Sequence, residues 1–111
     1  MDSIKNNLTY DKMYYQIKHS LQVEAVEFLL SNGANVNARN RENRTALHLV
    51  SKSRNSNNEK IFKLLIQKGA NFHAQDQWWR TPLIEAVCSD NSEVVRWLLK
   101  AGYAHKIFFP T

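Results

Sequence analysis

The chain has 111 residues, 43% hydrophobic and 23% charged, the make-up of one globular domain. It carries no apolar run near the roughly 20 residues of a membrane span, and Met1–Asn7 lacks the apolar block of a secretory signal. A single cysteine, Cys88, excludes an internal disulfide, so an intracellular, reducing setting (cytoplasmic or nuclear) is expected, and the sequons at Asn7 and Asn43 are read as chance matches.

The formal charge of +5 raises the question of nucleic acid. Lysine and arginine are interleaved with glutamate and aspartate and never form a run of five or six, so sequence-specific nucleic-acid binding is not expected.

In chain order, residues 1–9 read as a tail. The first helical period ends in Phe28-Leu29-Leu30-Ser31-Asn32-Gly33 and runs on into Ala34-Asn35-Val36-Asn37-Ala38. The same pattern returns as Leu64-Leu65-Ile66-Gln67-Lys68-Gly69-Ala70-Asn71-Phe72-His73-Ala74, and its helical part returns again before Gly102. The three glycines are spaced by 36 and then 33 residues, and each is expected to end a helix in the left-handed conformation that glycine tolerates. Thr45-Ala46-Leu47-His48 and Thr81-Pro82-Leu83-Ile84, also 36 apart, open the preceding short helices. Thr81 suits an N-cap and Pro82 the first helical position. Threonine and glycine are 24 residues apart in one unit and 21 in the next, which places a three-residue insertion in the polar stretch Ser53–Asn58. Asp90-Asn91-Ser92 separates the last two helices.

The period and the threonine landmark resemble ankyrin repeats, whose signature includes T-P-L-H-x-A. The resemblance covers about residues 12–107 and implies an all-α solenoid of three helix-turn-helix units with short loop or β-hairpin fingers. The expected divisions are a tail at 1–9, repeats at 10–39, 40–75 and 76–107, and a tail at 108–111. The first unit has Lys12-Met13-Tyr14-Tyr15 in place of the landmark, with Lys18, His19 and Gln22 suited to a capping role. The third loses the loop pattern at Tyr103–Ile107.

Chemistry for catalysis is not found. Cys88 with His48 or His73 could form a thiol–imidazole pair, but Cys88 reads as a small buried helix-end residue. His19, His48, His73 and His105 have no metal-ligand spacing, and no cofactor motif occurs. By resemblance, His48 hydrogen-bonds within or between repeats. The leading function is therefore non-catalytic protein binding, as an inhibitor or adaptor; the alternative is a piece of a longer repeat protein, and a weaker alternative is a basic protein that associates with nucleic acid through its positive charge. No small-molecule substrate and no membrane are expected.

The resemblance places partner contacts on the fingers and the adjacent helix positions. One finger, Arg39-Asn40-Arg41-Glu42-Asn43-Arg44, is basic and fits an acidic partner through Arg39, Arg41 and Arg44 around Glu42. The other is Gln75-Asp76-Gln77-Trp78-Trp79-Arg80. Trp78 and Trp79 lead the candidates with Arg80 and Gln77, since tryptophan and arginine are enriched at binding hot spots. Trp79 stands where the family commonly has glycine. Ser51, Lys52, Cys88 and Ser89 are the neighbouring helix positions, while Trp97 reads as packing. Ile84, Val87, Val94 and Trp97 have no fourth unit to cover them, so the apolar tail Ile107-Phe108-Phe109-Pro110 is expected to fold back over the third unit, with some self-association.

Overall fold

The computed structural model describes residues 23–54 and 57–108, with side chains to Gly102. Five helices occur among them and no strand: α1 (Val23–Ser31), α2 (Ala46–Lys52), α3 (Asn58–Gln67), α4 (Pro82–Cys88) and α5 (Ser92–Phe108). The expected N-terminal tail, the first unit's opening segment with Lys18, His19 and Gln22, and the tip of the tail at 109–111 lie outside the described residues.

Two of the three glycines act as the spacing requires. Gly33 has φ +95° and Gly69 φ +89°. Behind each, the chain closes a paired bond: Ala34 N–H to Leu29 O with Gly33 N–H to Leu30 O, and Ala70 N–H to Leu65 O with Gly69 N–H to Ile66 O. This closure satisfies carbonyls that a helix end leaves open. Asp90, at φ +53°, closes α4 the same way through Asn91 N–H to Ala86 O.

Gly102 departs from the expectation. Helix α5 runs through it to Phe108, 17 residues in all. A mid-helix glycine costs only about 1 kcal/mol relative to alanine. The residues after Gly33 and Gly69 are Ala-Asn, suited to a turn, whereas Tyr103-Ala104-His105-Lys106 contains no such breaker.

The short helices α2 and α4 pack side by side, and α3 and α5 pack behind them. Val26, Leu47, Val50, Ile61, Leu65, Ala86 and Val94 are at most 1% exposed and form the core. Full burial of an aliphatic side chain of this size contributes roughly 1.5–3 kcal/mol. The insertion is stitched down by polar groups. Asn91 Nδ2 donates to Ser51 O and Ser53 O (3.2 and 2.7 Å), Asn58 Nδ2 to Ser53 O (2.8 Å), and Arg54 to Ser89 O and Asp90 O (2.6 and 2.9 Å).

Candidate functional site: the two fingers

Each finger is a five-residue turn built on one Asn or Asp side chain. In the first, Asn40 Oδ1 accepts from the backbone N–H of Glu42 (2.9 Å) and Arg44 (3.0 Å). In the second, Asp76 Oδ1 accepts from Trp78 and Arg80, each at 2.9 Å. The tip then needs a positive φ, +63° at Asn43 and +65° at Trp79. Asparagine visits that region readily, and tryptophan does so only under constraint. The fingers stand side by side. Gln77 N–H donates to Glu42 O at 2.9 Å, and Arg39 donates to Gln75 O at 2.7 Å and Asn43 O at 3.1 Å.

Trp78 and Trp79 project from the second finger, 49% and 75% exposed. Two large rings in water side by side are the main apolar feature of this edge. Trp78 is steadied by Arg80, whose guanidinium carbon lies 4.9 Å from the ring centroid. Arg80 is in turn held between Asp76 and Glu85, with N···O separations of 3.6 Å to each. Trp79 forms one wall of a cavity of about 470 Å³ shared with Arg39, Asn43, His73, Gln75 and Gln77.

The basic finger is less basic than its composition implies. Arg44 turns inward, 7% exposed, and pairs with the buried carboxylate of Glu85. An arginine sealed against a carboxylate cannot meet a partner, so the expectation for Arg44 is corrected. Arg39 is exposed but committed to backbone carbonyls. Arg41 and Glu42 are exposed, as are Gln77 and Lys52. Ser51 is also corrected: it is fully buried and its hydroxyl donates to Leu47 O at 2.7 Å. Ser89 is half-buried and its carbonyl accepts from Arg54. Cys88, expected to be buried, is the last residue of α4 and is exposed.

Beneath the fingers lies a polar seam that the sequence reading missed. His48 is buried; its Nδ1 accepts from Thr45 N–H at 3.1 Å, which leaves Nε2–H to donate to Arg80 O at 2.8 Å. This joins the second unit to the third, the role that the resemblance implied. Burial holds the His48 pKa below the usual imidazole value, although the Arg80 carbonyl and the charges of Asp76 and Glu85 pull the other way. For Asp76 burial pushes upward, but the N–H groups of Arg80 and Trp78 and the charges of His48 and Arg80 outweigh it and keep its pKa below the usual carboxylate value. A signal for the seam was present. Arginine precedes the landmark threonine in both units (Arg44-Thr45, Arg80-Thr81), and Glu85 is a lone charge in an otherwise apolar helix.

No group of three potential metal ligands occurs among the described residues, and no helix among them is long and apolar enough to cross a membrane. The family model for ankyrin repeats matches residues 13–107 in three copies, so this chain belongs to the ankyrin-repeat family. It is 35% identical over 78 residues to an ankyrin repeat protein of Acanthamoeba polyphaga mimivirus, covering 70% of this chain and 10% of that one. It is 37% identical over 81 residues to the human transient receptor potential cation channel subfamily A member 1, covering 73% and 7%. An ankyrin repeat protein of fowlpox virus is 35% identical over 86 residues, covering 78% and 40%. The chain therefore spans between 7% and 40% of the length of these relatives. Ankyrin repeats are protein–protein interaction modules and are generally non-catalytic.

Proposed function

We propose that this chain binds a partner protein through the second finger, with Trp78 and Trp79 as anchors and Arg80 as the support that orients Trp78. The observation that carries this reading is Trp79: a large aromatic ring held at φ +65° and left 75% exposed. Neither the backbone nor the core gains from tryptophan there, so the gain is assigned to binding. Arg41, with Arg39 behind it, supplies the positive charge beside the rings and favours an acidic rim on the partner. The action is non-catalytic, as an inhibitor that masks the partner or an adaptor that delivers it. Affinity capture from cell lysate, comparing the parent with Trp78→Ala/Trp79→Ala, tests the reading. Partners lost with the rings support it; an unchanged set of partners contradicts it.

A second reading concerns the open side of the third unit. Ile84, Val87 and Leu99 are 43%, 60% and 54% exposed. The residues at the places of Ile84 and Val87 one unit earlier, His48 and Ser51, are fully covered. Aliphatic residues at uncovered positions favour stacking of a further unit, from a longer repeat array or from a second copy. Concentration-dependent light scattering of the parent and of Ile84→Ser/Val87→Ser separates the two. The tail expected to cap this face lies partly outside the described residues.

A further inference from the structure

The outer helices carry a second surface, separate from the fingers. A gap opens between α3 and α5 on the outer side. The gap is a cavity of about 470 Å³ bordered by Glu59, Phe62, Lys63, Arg96, Trp97 and Lys100. Phe62 and Trp97 form its floor, with ring centroids 5.5 Å apart and planes inclined by 45°. Trp97, expected to pack, is partly buried against the core cluster and Phe62, and it also borders the groove.

The rim of this groove is positive. Lys63, Arg96 and Lys100 are exposed and face one carboxylate, Glu59, which Lys63 already engages at 3.2 Å. Arg96 and Lys100 have no ion-pair partner among the described residues. Standing one turn apart on α5, they present their charges on the same side of the groove. An aromatic floor under two uncommitted cations is complementary to a segment that is apolar at one position and anionic at its neighbours.

We infer that this groove binds an acidic peptide segment, with an aliphatic or aromatic side chain on the Phe62–Trp97 floor and carboxylates at Arg96 and Lys100. Nucleic acid fits less well. Stacking of a base needs an open indole face, and Phe62 lies against Trp97 inside a half-buried site. A side-chain anchor needs only the groove. Because the groove and the fingers share no residue, the two surfaces can be lost separately.

The test uses the full chain and fluorescence anisotropy of three labelled probes: a short peptide of glutamates interrupted by leucine and phenylalanine, the same peptide with lysine for glutamate, and a mixed-sequence DNA duplex. The glutamate peptide should bind saturably and the lysine peptide should not. Arg96→Glu/Lys100→Glu should weaken the glutamate peptide about tenfold or more, since it turns two attractions into repulsions. Trp78→Ala/Trp79→Ala should leave that affinity within about twofold, which separates this groove from the finger. Both charged positions are exposed; should the reversed pair lose helical circular dichroism, Arg96→Gln/Lys100→Gln takes its place with a smaller loss of the same sign. Absence of glutamate-peptide binding, equal binding of the lysine peptide, indifference to the charge variants, or tighter binding of the duplex would each overturn the inference.

Discussion

The two fingers share one backbone and differ in what covers them. Asn40 and Asp76 build the same turn, and Asn43 and Trp79 take the same positive φ. The first finger is overlaid by the second, which takes up its Glu42 carbonyl and the guanidinium of Arg39, while Arg44 is drawn down to Glu85. The second finger presents Trp78 and Trp79 to water. A repeated turn thus serves as joint in one unit and as presenting surface in the next. Its side chains must be read with their neighbours rather than from the loop alone.

The largest expected effect lies where the fingers meet the core. Glu85→Leu removes the carboxylate that Arg44 meets in the interior and one of the two that hold Arg80, and should cost about 3–5 kcal/mol in urea unfolding, the range for breaking a buried ion pair from one side. A loss below about 1 kcal/mol would mean that water reaches the seam. Next come the turn-building side chains. Asp76→Ala removes a charged acceptor of two N–H bonds and should cost about 2–3 kcal/mol, whereas Asn40→Ala, a neutral counterpart, should cost about 1 kcal/mol. Equal losses would break the distinction between the fingers.

Trp79→Gly should raise stability by about 1 kcal/mol by releasing the left-handed strain, and Asn43→Gly should change it by a few tenths at most. A large loss on Trp79→Gly would show the ring to be structural. The smallest effect is the pH response. The folded-state pKa of His48 lies below the ordinary imidazole value of 6.5, so the unfolded chain takes up its proton first as pH falls through that value. Stability should therefore decline from pH 7.5 to pH 5, and His48→Gln should flatten that slope. Asp76, whose pKa is lowered, adds a further loss only as pH falls below about 4. Urea midpoints across this range check both.

Much of the fold was legible because its signals are local. Gly33 and Gly69 end helices by backbone freedom, and Thr81 accepts the N–H of Ile84 as an N-cap. What was not legible depends on neighbours distant in sequence. Arg44 and Glu85 are 41 positions apart, and no pattern within a loop says that the arginine turns inward. Ser51 is hidden because α4 lies over it, and Cys88 is exposed because no further short helix covers the end of α4 among the described residues. Gly102 misled for the opposite reason: a glycine permits a helix end without requiring one.

Docking through the second finger is tested most directly by comparing it with an exposed apolar residue elsewhere. Phe28, 66% exposed on α1, is such a residue. With a captured partner in hand, isothermal titration of the parent, Trp78→Ala/Trp79→Ala and Phe28→Ala gives three affinities. Loss of the finger rings should weaken binding by about 30-fold or more, equivalent to about 2 kcal/mol, and loss of Phe28 should leave it within about twofold. A finger variant that folds and binds as tightly as the parent would contradict the finger as the docking surface.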